Sequence, residues 1–127
     1  MATVLTNAGE EWVVDKLKET VQTEPNYVGW GTGAGTAAKG DTDLFTPANT
    51  DPGNVLRLAG TTSKQGTGAS AKYRNVATLQ AVVGITATNA GAWTAVSGGV
   101  LVVKGDFTGV ALAAGDQIVF TIEIDPS

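Results

Sequence analysis

The C-terminal stretch Gln117-Ile118-Val119-Phe120-Thr121-Ile122-Glu123-Ile124-Asp125 decides the fold class. Ile118, Phe120, Ile122 and Ile124 alternate with Gln117, Val119, Thr121 and Glu123. A period of two turns one set toward a core and the other away from it, which is a β-strand with one buried face. Upstream, residues 100–107 read as a neighbouring strand. Gly109 and then Ala113-Ala114-Gly115-Asp116 supply turns between the two, so they predict an antiparallel pair. Residues 73–85 read as one long strand. Tyr73, Ala77, Leu79, Ala81, Val83 and Ile85 share a parity, while Lys72, Arg74, Thr78 and Gln80 take the wet face. Residues 26–31 and 54–63 are weaker strand candidates, and 3–5 adds a short edge strand. Residues 33–50 form a long loop, and a span of that length without structure of its own is functional or ordered by a neighbour, for which a partner subunit is one candidate.

One helix precedes this β-rich chain, over residues 7–19. Asn7 or Thr6 can act as N-cap, Glu10 stands three residues after Asn7 as a capping box requires, and Trp12, Val13 and Leu17 supply an apolar stripe. Glu10 and Glu11 near its start and Lys16 and Lys18 near its end match the helix dipole. Together these segments predict a mainly β protein, an antiparallel β-sandwich with one short N-terminal helix, as a single domain over residues 1–127.

Composition narrows the function. The 127 residues include 17 Gly, 18 Ala and 18 Thr, with four Pro and no three-residue Gly period, which excludes collagen. A net charge of −4 with two Arg provides no basic surface for a phosphate backbone, so nucleic acid is not an expected partner. The absence of Cys and His removes thiolate nucleophiles, imidazole bases, disulfides and the usual zinc ligands. No run reaches the roughly 18 apolar residues of a membrane helix, and the N-terminus has no leader pattern. The expectation is a soluble chain made in the cytoplasm, with no membrane partner.

The candidate chemical motifs fail on context. Gly29-x-Gly31-x-x-Ala34 matches a dinucleotide fingerprint in spacing, but a helix has to follow it and here more Gly, Thr and Asp do. Lys39 is followed by Gly40, which breaks a phosphate-loop pattern. Asp41-x-Asp43 and Asp51-Pro52-Gly53-Asn54 lack calcium-loop spacing and read as Asx turns. Trp12, Trp30 and Trp93 could stack on sugars, but in so small a core they read as buried anchors. The expectation is therefore no catalytic residue, no cofactor, no metal and no enzyme.

The run from Leu5 to Asp15, Leu-Thr-Asn-Ala-Gly-Glu-Glu-Trp-Val-Val-Asp, followed by Asn26-Tyr27-Val28-Gly29-Trp30-Gly31-Thr32-Gly33, resembles a family of small tailed-bacteriophage structural proteins. Its members open with a short helix and continue into a Gly-Trp-Gly-Thr-Gly strand. Ala37-Ala38-Lys39-Gly40-Asp41-Thr42-Asp43-Leu44, the strand from Gly99 to Phe107, and Leu112-Ala113-Ala114-Gly115-Asp116 also fit. Relatives carry a longer segment where this chain has only Ala92 to Gly99. The resemblance implies a jelly-roll-like sandwich and a virion component. The first expectation is a head decoration (cement) protein that forms homotrimers on the outer face of the capsid, with the major capsid protein as partner. Its N-terminal segment and loop 33–50 would order against neighbours, and the candidate interface residues are Tyr27, Trp30, Lys39, Asp41, Asp43, Phe45 and Trp93. The alternative is a tail or fibre module that binds a host glycan through Tyr27, Trp30 or Trp93.

Overall fold

The period-two stretches fold as strands. A computed structural model describes residues 3–18 and 23–126. In chain order it has β1 (Thr3–Leu5), α1 (Asn7–Leu17), β2 (Tyr27–Gly31), β3 (Pro47–Ala48), β4 (Thr50–Asp51), β5 (Leu58–Ala59) and β6 (Thr61–Gln65). A 3₁₀ turn (Gly68–Ser70), β7 (Lys72–Ala81), β8 (Ile85–Trp93), β9 (Leu101–Leu112) and β10 (Gln117–Ile124) follow. The strands make two antiparallel sheets, a β-sandwich with one short N-terminal helix. The first has the order β1-β9-β8-β2-β3, with β5 also on β2, and the second the order β10-β7-β4, with β6 also on β7.

Several expectations change at the crossings between sheets. The single strand expected over 73–85 is two strands, and the chain passes from the second sheet to the first between Ala81 and Ile85. Val83 keeps the core parity but sits on this corner, 61% exposed. Residues 100–107 and 117–125 are not partners. The turn at Ala113 to Asp116 carries the chain to the other sheet, where β10 pairs with β7 from Gln117↔Gln80 to Ile124↔Tyr73, while β9 pairs with β8 and β1. Gly109, expected in a turn, lies within β9. The candidate over 54–63 resolves into β5 and β6 around Gly60, and the short strand at 3–5 is an edge of the first sheet.

Between the sheets, Val28, Trp30, Ala77, Leu79, Ala81, Ala87 and Ala90 form the core, with Phe107, Ile118, Phe120 and Ile122 half-buried around them. Trp30 is fully buried, its ring edge-on to Phe120 with centroids 6.2 Å apart. Alanines opposite so large a ring let two sheets approach without overpacking.

The helix docks by its first turn. Thr6, not Asn7, is the N-cap and accepts from Gly9 N at 2.9 Å, so Glu10 is outside the expected capping box. Thr6 N donates to Val102 O at 3.1 Å, and its hydroxyl donates to Leu101 O. Gly9 is the only buried helical residue because its backbone lies on the Val102 carbonyl. The stripe of Trp12, Val13 and Leu17 is accordingly not core. Trp12 and Val13 are half-buried and Leu17 is 80% exposed. The helix ends at Leu17, and the expected terminal residue Glu19 falls outside the described residues.

In an exposed helix, Gly→Ala stabilises by about 1 kcal/mol. At Gly9 a Cβ would strike the Val102 carbonyl, so Gly9→Ala is expected to destabilise by about 1–3 kcal/mol in urea unfolding. Gly40→Ala, where a Cβ meets nothing within 4 Å, is expected to stay within about 0.5 kcal/mol of wild type.

Candidate functional site

Strand β2 shows why the Gly-Trp-Gly pattern is written as it is. Val28 and Trp30 enter the core, so Gly29 and Gly31 face the other side of the first sheet, where the chain lays residues 33–46 as a strap over bare backbone. A Cβ on Gly29 would press on the Leu56 carbonyl and Arg57, one on Gly31 on the Phe45 carbonyl, and one on Gly33 on Phe45 and Thr46. Gly91 on β8 plays the same part under Leu44 and Leu101. Glycine here serves close approach of backbone to backbone, not phosphate binding.

Polar side chains of β8 and β9 pin the strap. Asn89 grips one residue at both ends, since its Oδ1 accepts from Phe45 N at 2.9 Å and its Nδ2 donates to Phe45 O at 3.1 Å. Asp106 Oδ1 accepts from Ala37 N at 2.7 Å. Thr88 donates its hydroxyl to Gly33 O. Lys104, with no side-chain exposure, donates from Nζ to Asp41 Oδ2 at 2.9 Å and to Asp43 O at 2.8 Å, and lies 3.3 Å from the Phe45 ring centroid. Loop 33–50 is thus ordered by its own chain, where ordering against a neighbour, with a partner subunit as one candidate, was the expectation. β3 and the first residue of β4 lie at its end.

Each interface candidate has a definite place. Lys39, Asp41, Asp43 and Phe45 lie along the strap. Lys39 pairs with Glu10 of the helix, and Asn7 N donates to Lys39 O at 2.7 Å, which joins strap to helix. Asp41 accepts from Ala38 N at 2.9 Å, and Asp43 Oδ1 accepts from Leu44 N at 2.8 Å. Asp51 likewise accepts from Asn54 N at 3.1 Å, so all three aspartates bond to nearby backbone amides, though at other spacings than the two-residue step of the expected Asx turns. Tyr27 and Trp93 are cross-strand neighbours in a small cluster with Leu44 and Leu101. The Arg57 guanidinium lies 3.6 Å from the Trp93 centroid and donates to Ala95 O and Gly98 O, each at 2.8 Å. Trp30 stands apart on the other face of the sheet, its indole N–H donating to Asn49 O at 3.1 Å. Sequence reasoning passed over Lys104, Asn89 and Asp106. The available signal was polar side chains inside strand runs, above all a lysine behind Leu101-Val102-Val103.

The hydrogen bond from Ala38 N and the bond from the Lys104 ammonium hold the Asp41 carboxyl below its ordinary value of 3.8. Burial lowers the Arg57 pKa, against the opposing charge of Asp43. Among the described residues, no three His, Cys, Asp or Glu gather as metal ligands, and no helix is long and apolar enough to cross a membrane. What the arrangement presents outward is a strap-and-helix surface.

Because the Asp41 pKa is depressed on folding, its contribution is complete above pH 3.8 and is lost as the pH falls through the folded-state value. Amide exchange at Ala38, whose acceptor is Asp41, is expected to accelerate at acid pH below 3.8, before the core amides of β7. Lys104→Met, which leaves the Asp43 carbonyl without its donor, is expected to destabilise by about 1–3 kcal/mol in denaturant titration. Comparison with protein-family models, curated proteins and solved structures found no match.

Proposed function

We propose that the protein is a non-enzymatic structural component of a tailed-bacteriophage virion, a decoration protein on the outer surface of the head. The residue resemblance from Leu5 to Asp15 and from Asn26 to Gly33 supports the family. The observation that carries the reading is the strap-and-helix layer. A helix held by Thr6 and Gly9 projects Val14, 62% exposed, and Leu17, 80% exposed, beside the Lys39–Glu10 pair. Burying a Val or Leu side chain contributes about 1.5–3 kcal/mol, so these two are efficient anchors for a protein surface. The proposed partner is the major capsid protein, together with copies of this chain in a homotrimer. A ligand that binds only the assembled shell raises the temperature at which the shell fails. Glycan stacking, the alternative, gains no support from the tryptophans on β2 and β8, since Trp30 is buried and Trp93 is covered by Arg57.

The purified protein is expected to co-sediment with expanded capsids and to raise their melting temperature. Val14→Asp with Leu17→Asp is expected to weaken capsid binding at least about tenfold while leaving the protein's own unfolding unchanged, because both side chains are exposed. Full affinity in that variant, or stripped virions with unaltered thermal stability, refutes the reading.

A further inference from the structure

We infer that the free edge of β10 pairs antiparallel with β10 of a second copy, across a two-fold axis at Phe120. The inference concerns the chain alone and stands apart from any capsid.

The first observation is an unprotected edge. Exposed strand edges associate unless they are short, bulged, charged with lysine or interrupted by proline. Here β1 has three residues, β3, β4 and β5 have two each, and β6 carries Lys64. β10 has eight residues in unbroken register with β7, no Lys, Pro or Gly, and no partner on its other side among the described strands. Its one charge, Glu123, is engaged by Arg74 at 2.7 Å.

The second is incomplete burial. Ile118, Phe120, Ile122 and Ile124 all face inward, yet none is buried. Beside them, between the edges of the two sheets, a cleft of about 200 Å³ is lined by Thr3, Val103, Phe107, Phe120 and Ile122. A continued sheet would cover these side chains.

The third is self-complementarity, which selects a second copy as occupant. Ala81 N donates to Asp116 O at 2.8 Å, one step before the Gln117↔Gln80 pair. Hydrogen-bonding direction alternates along an antiparallel strand, so Ile118, Phe120, Ile122 and Ile124 bond to β7. The backbone groups of Gln117, Val119, Thr121 and Glu123 therefore point to the free edge. Centring the two-fold on Phe120 sets Val119 opposite the partner's Thr121 and Gln117 opposite the partner's Glu123, all with outward-pointing backbone groups. The same register sets Ile118 opposite the partner's Ile122 and Phe120 opposite its own copy on the core face. No like charges meet, and aromatic and β-branched cross-strand pairs of this kind are favourable. The pairing is two-fold, so any threefold contact of a decoration protein uses another surface.

Charge swapping at the exposed positions Val119 and Thr121 tests this on the full chain. Wild type is expected to sediment as a dimer in solution. Val119→Lys with Thr121→Lys places lysines opposite lysines, and Val119→Glu with Thr121→Glu places glutamates opposite glutamates. Each double variant alone is expected to dimerise at least about tenfold more weakly, and their equimolar mixture is expected to recover the dimer. Amides of Val119, Thr121 and Glu123 are expected to exchange more slowly as wild-type concentration rises. A monomeric wild type, or a wild-type oligomer that both double variants retain, overturns the inference.

Discussion

The Lys104 ammonium is buried between the strap and the outer face of the first sheet, and the strap follows its observed path because that charge requires Asp41, the Asp43 carbonyl and the Phe45 ring around it. A buried ion pair adds little net stability, since desolvation offsets most of the attraction. Its effect is on choice of conformation. With Lys104 and Asn89 satisfied, only one register of residues 33–46 fits the sheet, and any slip strands a charge or an amide in a dry interface. The glycines of β2 and β8 are the other half of the same constraint, because a strap carried on polar pins needs its backbone close to the sheet.

Much of the fold could be read from local pattern. Residues 117–124 form a strand, the short strand at 3–5 exists, and residues 26–31 give β2, because alternation reports burial on one face directly. Pairing was less accessible. The residues between Ala113 and Asp116 look like a hairpin turn, but the chain uses them to change sheets, and nothing local distinguishes those outcomes. The helix stripe misled for a related reason. Trp12 and Leu17 have the spacing of core residues, but the helix is anchored by Gly9, whose contribution is the side chain it lacks.

The site was legible in part. Lys39, Asp41, Asp43 and Phe45 do share the strap, and Tyr27 and Trp93 lie beneath Leu44, whereas Trp30 belongs to the core. Alternation explains the division, because Trp30 and its flanking glycines must point to opposite faces of β2. The pins themselves, Asn89, Lys104 and Asp106, were hidden because a sheet buried on both faces gives polar residues a role that a one-sided strand model assigns to solvent. The Gly, Ala and Thr bias then has separate causes: Gly beneath the strap, Ala around Trp30, and Thr where a hydroxyl bonds buried backbone, as at the N-cap Thr6 and at Thr50 against Gln80.

Those pins also order events in time. The strap is made early in synthesis, but Asn89, Lys104 and Asp106 come from strands more than forty residues later, and β8 itself needs β9 beside it. Domains whose contacts are mostly long-range fold slowly, since loop closure is unfavourable until distant partners arrive. A segment rich in Gly, Ala and Thr, whose large apolar side chains are Leu44 and Phe45 alone, offers little hydrophobic surface to the wrong neighbour while it waits in solvent. The composition of the strap thus suits both its late docking and the long interval before it.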